Sequence, residues 1–465
     1  MVAYFFPPVG GLAVAGSQRT LKFAKYLDHP WHPVVLTVRE SCYESYLSLD
    51  PTLLQRVPAN VKIIRTGVIR SLTKFLNMKN ALLRSSLNEN RAIPTIGRSE
   101  PSVDRSGKSG WYQKLKDGVT SLFDIPDGEI GWFLPAVMAG IRAVKQERVD
   151  AIYATGKPWT AHLIGTALRI CTRRPLIVDF RDPWLTNPFR DSSSPFRNRL
   201  EAYLERKVVE KADLVVTNTV ALRDEFFHRF PQCSRDKFIA LPNGFDPDDF
   251  AGVVSNRIRC KEKFVITHTG FLYGKRDPRS FLEALELLLA DGRVDPNKIE
   301  VVFVGSVELP YNLPEYLNTH RLNQIVTLVP HVLYQKSLEY LSAGDLLLLL
   351  QPGTETQVPS KLFEYIALGK PILAISPREG ATSKLVTDEC LGMTAEAESV
   401  EAIASAMERL YQDWTHGAMS LRSNGRAREK FNVKTVAAIL AQKLNQLVSE
   451  RADTFSRGPA WRDNH

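Results

Sequence analysis

The stretch that most limits what this chain can become is VPSKLFEYIALGKPILA, Val358 to Ala374. It reads as a short helix held between two buried strands, LLLLLQPG from Leu346 to Gly353 before it and PILAIS from Pro371 to Ser376 after it. Each boundary has a cause. Pro359 has a fixed φ and no N–H to leave unsatisfied, so it suits the start of a helix; Gly369 suits the left-handed position after the last turn, and Pro371 prevents continuation. The helix is therefore expected from about Ser360 to Leu368. Its first turn presents backbone N–H groups at a positive dipole end, beside the Ser360 hydroxyl and the Lys361 ammonium, and together these suit a phosphate or diphosphate. Glu364 lies one turn further in, on the side of Ser360. A carboxylate there accepts two hydrogen bonds from a diol such as that of a ribose. Phosphate donors with a diol acceptor one turn away describe a nucleotide.

A plainer reading stays open beside this one. A capping box needs the acid three places after the cap, and Ser360 and Glu364 are four apart. Lys361 and Glu364 also fit an ordinary exposed pair three apart, worth roughly 0.2 to 0.5 kcal/mol.

The stretch resembles the C-terminal signature of glycosyltransferase family 4, retaining sugar-nucleotide enzymes of the GT-B fold. Their motif runs from one acid through seven residues to a second acid, then to a small-residue Gly-x-Pro. Glu364 with Ala367, Gly369 and Pro371 matches the second half, and the resemblance gives Glu364 the ribose-binding role. The first half departs: Thr356 stands at the place of the first acid, with Glu355 one position away. In the family that acid is linked to the hydroxyls of the sugar.

At 465 residues the chain suits two domains of about 200 residues each. With 44% hydrophobic and 24% charged residues, its composition is that of an ordinary soluble globular protein, and no run of eighteen apolar residues is present to span a bilayer. The apolar start MVAYFFPPVGG lacks a basic flank and a cleavage site, so it reads as a buried strand rather than a signal peptide. Five widely spaced cysteines, Cys42, Cys171, Cys233, Cys260 and Cys390, lack metal spacing and suit reduced cytosolic thiols. The net charge of +9 implies attraction to an acidic partner. Much of it is regional: Lys62 to Gly118 holds twelve Lys and Arg against four Asp and Glu.

Along the chain, a first strand over Val2 to Phe6 leads into PPVGGLAVAG and the helix SQRTLKFAKYL, a strand, glycine turn and helix start that suit an anion, with Gly10 and Gly11 allowing close backbone approach. The spacing is not that of a dinucleotide fingerprint, and a simple tight turn is the alternative. In the resembled family this loop faces the inter-domain cleft near the donor phosphates. Strands HPVVLTV and VKIIR follow. From Val68 to Leu87, Ile69, Leu72, Phe75, Leu76, Leu83 and Leu87 recur at helical spacing among Arg70, Lys74, Lys79 and Arg84, which reads as a basic amphipathic helix for a membrane interface or for packing on its own domain. Residues 88 to 110 read as a loop. Asp127 and Trp132 are either cleft-lining residues or, as the favoured reading, a turn acid and a core tryptophan.

Alternating strands and helices then mark an α/β domain, with Thr155, Gly156, Asp179, Arg181 and Asp182 at the carboxyl ends of strands, where such sheets bind ligands. In DFRDPW, Asp182 is a candidate to orient an acceptor hydroxyl or take its proton, and Arg181 to balance a leaving diphosphate. An internal ion pair of Arg181 with Asp179 or Asp182 is the alternative. His162 reads as packed. LPNGFDPDDF, Leu241 to Phe250, resembles the family's linker. In TGFLYGKRDPRSFLEAL the resemblance aligns Phe271 with the family's diphosphate-binding Arg and Arg276 with its Lys, with Lys275 adjacent.

Expected is an α/β chain of two doubly wound Rossmann-like domains facing across a cleft: 1–245 for the acceptor, carrying the basic insertion 68–110; 246–430 for the nucleotide sugar; and 431–465 as a helix crossing back, with a tail. The resemblance implies a retaining, hexosyl-type glycosyltransferase that needs no cofactor and no metal, moving a sugar from a nucleotide diphosphate to a saccharide or lipid-linked acceptor for cell-envelope or exopolysaccharide synthesis. A cytoplasmic place, or a peripheral one on an anionic inner membrane face through 68–110, fits the charge. Nucleic acid is not an expected partner, since the basic stretch has few aromatics to stack bases. A sugar-nucleotide epimerase on the same fold and a catalytically silent subunit of that shape are the alternatives.

Overall fold

The structure, a computed structural model, describes residues 1–10, 14–27, 29–44, 47, 49–69, 125–187, 190, 194–253, 262–419 and 424–456. It comprises two compact units, Met1–Leu21 with His32–Val215, and Lys22–Trp31 with Val216–His465. The expected segments at 70–87 and 88–110, Gly11 and the end of the tail lie outside the described residues.

The first unit is built in chain order from α1 (Val14–Tyr26), which continues into the second unit, β1 (Val34–Val38), β2 (Lys62–Thr66), α2 (Phe133–Gln146), β3 (Ile152–Gly156), α3 (Thr160–Thr172), β4 (Leu176–Phe180), α4 (Pro195–Lys211) and β5 (Leu214–Thr217). β1 and β2 pair in parallel from Val34 opposite Lys62 to Val38 opposite Thr66. β3 and β4 pair in parallel from Ile152 opposite Leu176 to Gly156 opposite Phe180, in a sheet of order β3-β4-β5-β6, where β6 is Phe238–Ala240. Both β3 and β4 are buried along their whole length, as strands covered on two faces must be.

The expected first strand is shorter than its apolar run. Only Val2 bridges, to Leu36 and to Ala154 in parallel, so this one residue joins β1 to β3. Beyond it the backbone carbonyls are taken by side chains instead of a ladder: the Thr37 and Tyr43 hydroxyls both donate to Tyr4 O at 2.9 Å, and Pro7 and Pro8 have no N–H to offer. Trp132 is fully buried and donates to Thr66 Oγ1 at 2.8 Å, and Asp127 accepts from Thr160 N at 3.0 Å and Thr160 Oγ1 at 2.6 Å. These are the core tryptophan and turn acid of the favoured reading.

The second unit continues with α5 (Val220–Arg229), then β7 (Phe264–Thr269), β8 (Leu272–Tyr273), α6 (Arg279–Ala290), β9 (Ile299–Val304), β10 (Val307–Glu308), α7 (Leu313–Thr319), β11 (Val326–Val329), α8 (Tyr334–Ala343), β12 (Leu346–Leu350), α9 (Ser360–Leu368), β13 (Ile372–Ile375), α10 (Ala381–Asp388), β14 (Gly392–Ala395), α11 (Val400–Thr415), α12 (Asn424–Lys430) and α13 (Val433–Ser456). Its main sheet has the order β11-β9-β7-β12-β13-β14, all pairs parallel. Five consecutive leucines form β12, and all are buried because alternate ones face different cores: Leu346, Leu348 and Leu350 join Phe281, Phe303 and Ile403, whereas Leu347 and Leu349 join Leu362, Phe363 and Ile366 of α9. Fully burying each such side chain is worth about 1.5 to 3 kcal/mol, which fixes α9 on one face of the sheet.

Successive strands leave β7 in one direction through β9 to β11, then restart beside β7 at β12 and run the other way to β14. That reversal is a topological switch point, where the carboxyl ends of adjacent strands diverge and leave a crevice. Here β7 and β12 pair only at Ile266 with Leu346 and Thr267 with Leu347. One residue further, Leu348 O accepts from His268 Nδ1 at 2.9 Å and from the Tyr365 hydroxyl at 3.1 Å in place of a ladder bond.

Candidate functional site

The β12 to α9 connection opens the site. α9 spans Ser360–Leu368, with Pro359 at its N-cap and Gly369 after it at φ 65°, as the proline and glycine require. Leu362, Phe363, Tyr365, Ile366 and Ala367 are buried, so Ser360, Lys361 and Glu364 make the half-buried polar edge of the helix. Pro359 supplies no side-chain cap, which leaves the first-turn amides to other partners.

Three cations lie along the β12 to α9 connection and the first turn of α9. Lys361 folds back over the end of β7, so that a Cβ added at Gly270 would coincide with its Nζ; Gly270 also holds a φ of 140°. Arg276 donates to Gln351 Oε1 at 3.1 Å and lies over the Tyr273 ring at 5.4 Å. Lys275 lies across the connection itself, its Nζ 2.9 Å from where a Cβ of Gly353 would stand. Arg276 thus lies within electrostatic reach of Lys361, the neighbour of Ser360, whereas Lys275 is placed over Gly353 of the connection. None of the three cations has a carboxylate at ion-pair distance among the described residues. Crowding has a cost for Lys361: burial and the neighbouring Arg276 lower its ammonium to about 8, against the pull of Glu364.

Gly305 completes the floor. Its φ is 141°, and a Cβ there would run into Gly270 O, so the ends of β7 and β9 approach as only two glycines allow. His268, next to the last residue of β7, is 3% exposed. Burial, Lys361 and Arg276 lower its imidazole to about 3, so it is neutral. A carbonyl only accepts, so Nδ1 carries the proton toward Leu348 O, and Nε2 is a buried acceptor without a hydrogen-bond partner among the described residues.

Glu364, one turn inside α9, accepts from the Tyr334 hydroxyl at 3.2 Å. Burial pushes its carboxyl up, while Lys22, Lys361 and Tyr334 pull it down. Lys22 in turn donates to Gly244 O at 2.9 Å. The position of the missing first acid is also defined: Thr356 is half-buried with its carbonyl accepting from Thr219 Oγ1 at 2.6 Å, and the adjacent Glu355 is exposed. Phe271, at the place of the family's arginine, stacks on Tyr273 with centroids 4.7 Å apart.

In the DFRDPW cluster of the first unit, the alternative pairing of Arg181 with Asp179 is replaced by one of Asp179 with Arg19. Asp179 is wholly buried and pairs with Arg19, which donates through Nε and Nη2 at 2.9 Å each, while Tyr153 and Thr155 hydroxyls donate at 2.5 and 2.8 Å. Burial alone would raise the Asp179 carboxyl, but Arg19 and the two hydroxyls outweigh it and hold it below the ordinary value. Arg181 instead donates to two backbone carbonyls, Gly156 O at 2.8 Å and Lys157 O, with its guanidinium against Gly16. Asp182 is half-buried just past β4 and attracts Arg181 by charge. Gly10 is buried. His162 is packed, with Nε2 3.1 Å from Asp179 O.

Arg19, His268, Gly270 and Tyr334 have no place in the sequence reading. Gly270 had a usable signal, as the glycine directly after a strand opposite another strand-ending glycine, Gly305. The other three are placed by contacts too distant in sequence to read. Among the described residues no group of three or more His, Cys, Asp or Glu is arranged to hold a metal ion, and no helix is long and apolar enough to cross a membrane.

Two family models match the chain: a glycosyl transferase 4-like domain over residues 106–244 and glycosyl transferases group 1 over residues 263–413. A D-inositol 3-phosphate glycosyltransferase of Paenarthrobacter aurescens (strain TC1) is 23% identical over 362 residues, covering 75% of this chain and 86% of that protein. Among solved structures, Anabaena Alr3699/HepE in complex with UDP superposes with a TM-score of 0.59 at 16% identity, over 96% of this chain and 99% of that one. A glycosyltransferase from Rickettsia africae ESF-5 gives 0.61 at 12% identity, over 96% and 98%. Sucrose-phosphate synthase from Thermosynechococcus elongatus gives 0.59 at 15%, over 96% of each. These likenesses establish the fold, two Rossmann-like α/β domains of the GT-B kind.

Proposed function

This chain belongs to the GT-B glycosyltransferases of the family 4 type, and from that premise we propose that it moves a hexosyl group from a nucleotide diphosphate to an acceptor hydroxyl with retention of configuration. The observation that carries the assignment of roles is the placement of Lys275 and Arg276 along the β12 to α9 connection, with Lys361 in the first turn of α9 and Glu364 one turn inside. The first-turn amides, Ser360 and the three cations take the diphosphate and stabilise the charge that grows on it as the glycosidic bond breaks. Glu364 takes the ribose diol. The fold relative seen with UDP supports a nucleotide donor. Gly10 and Gly11 stay assigned to the donor phosphates, Asp182 to orienting the acceptor, and Arg181 to balancing the leaving group. The held Thr356 carbonyl and the stacked Phe271 give the donor sugar a different set of neighbours from the family pattern.

Titration calorimetry with UDP, GDP and ADP tests the donor site. One of them binds the native chain, and Lys361→Ala weakens that binding about tenfold or more, the size of a lost charge-assisted contact. Binding unaffected by the substitution rejects the assignment. Product analysis with the matching nucleotide sugar separates transfer, which gives a new glycoside, from epimerisation, which gives an altered nucleotide, and from a silent subunit, which gives neither.

The acceptor is proposed to be a lipid-linked or polysaccharide precursor, met at an anionic membrane surface. Support comes from the basic composition of 68–110 and from Ile69, Leu134 and Met138, all more than half exposed on the first unit.

A further inference from the structure

We propose that Tyr334 is a positioning residue for nucleotide recognition: its hydroxyl fixes the Glu364 carboxylate in the orientation that grips a ribose diol. The proposal rests on the role given to Glu364 above and adds a second residue, from another helix, to the same site.

Tyr334 opens α8, and α8 shares one core with α9: Leu338 and Leu341 of α8 pack in the cluster that holds Leu362, Phe363 and Ile366 of α9. The Tyr334 ring packs against the same cluster, so the phenol enters the site from a fixed base. Its hydroxyl stands 3.2 Å from Glu364 Oε1 and 3.3 Å from Asp249 Oδ2. The turn that carries Asp249 is fastened to the start of α8 a second time, by Gln335 Nε2 donating to Asp249 O at 3.2 Å.

A glutamate on a helix edge has three rotatable bonds, and gripping a diol needs both carboxylate oxygens in one plane facing the ligand. The nearby ammonium groups of Lys22 and Lys361 attract the carboxylate, but a point charge sets no plane. A hydroxyl bonded to one oxygen does set it. With Oε1 bonded to Tyr334, Oε2 and the remaining lone pair of Oε1 are left over, since among the described residues the carboxylate makes no other hydrogen bond. Two acceptors then stand ready for two ribose hydroxyls, with the ordering cost already met before the ligand arrives.

The test is the ratio of affinities for ribo- and 2′-deoxyribonucleotides. Calorimetry with UDP, GDP and ADP and their 2′-deoxy counterparts is run on the native chain, Tyr334→Phe, Glu364→Gln and the double variant. The native chain prefers the ribonucleotide. Tyr334→Phe lowers that preference about three- to tenfold, the span of one hydrogen bond, and leaves the deoxynucleotide affinity near its native value. Glu364→Gln lowers it at least as far, and adding Tyr334→Phe to Glu364→Gln changes it no further, because the two act as one unit. A Tyr334→Phe ratio equal to the native one, with Glu364→Gln still losing the preference, overturns the proposal. So does an equal loss of both affinities, which is the mark of general loosening. A native ratio in Glu364→Gln, or no binding of any of the three nucleotides, overturns the ribose reading itself and this inference with it.

Discussion

Lys361 illustrates how a single residue trades stability for binding. Its ammonium titrates near 8 in the folded chain against 10.5 for an unperturbed lysine, chiefly because it is buried. The unfolded chain therefore holds more protons than the folded one between these two values, and stability rises with pH across that window; below about 8 the full penalty of the buried charge is present. A diphosphate reverses the balance by rewarding the charged form. Binding of the nucleotide at pH 8 should take up about half a proton, read from calorimetry in two buffers of different ionisation enthalpy. Affinity should then fall as pH rises further. Lys361→Ala should show no uptake; an unchanged uptake would place the titrating group elsewhere. The paired residue in the first unit behaves oppositely. Asp179 is buried but saturated by Arg19, Tyr153 and Thr155, so its place is structural and it offers no proton at neutral pH.

At the scale of elements, the site depends on where strands stop. β7 and β9 end on Gly270 and Gly305, both at φ near 140°, where a side chain is strained and where neither leaves room for one. Gly270→Ala should cost about 1 to 3 kcal/mol in denaturant unfolding from its backbone alone. It should also displace Lys361 and weaken nucleotide binding by about tenfold, as Lys361→Ala does. Native-like affinity in a folded Gly270→Ala chain would show that Lys361 does not need its place over β7. The boundaries of α9 were legible beforehand because proline and glycine act on their own turn: Pro359 and Gly369 sit at its two ends as read. The first strand was misjudged for the complementary reason. Val2 to Phe6 is apolar enough for a strand, but side chains from Thr37 and Tyr43, more than thirty residues away, claim the carbonyls that a ladder would use.

For the whole molecule, the charge of +9 is a regional property concentrated in Lys62 to Gly118. A basic, apolar-patterned segment in a unit that also exposes Ile69, Leu134 and Met138 suits an anionic lipid surface. Removing residues 70–110 should abolish flotation with liposomes containing phosphatidylglycerol while nucleotide binding persists, because the cations of the donor site lie in the other unit. Flotation that survives the deletion contradicts the membrane proposal.

What the sequence determined by itself was local: the alternation of strands and helices, the ends of α9, and the company of Ser360, Lys361 and Glu364 on one edge of it. Hydrophobic runs, prolines and glycines act within a few residues, so their outcome is written beside them. Only the tertiary structure decided which groups those residues meet. Arg19 finds Asp179 across 160 positions, Tyr334 finds Glu364 across 30, and Lys361 settles over Gly270. These partners are chosen by how strands pair and helices pack within each unit, and no short window of sequence carries that geometry.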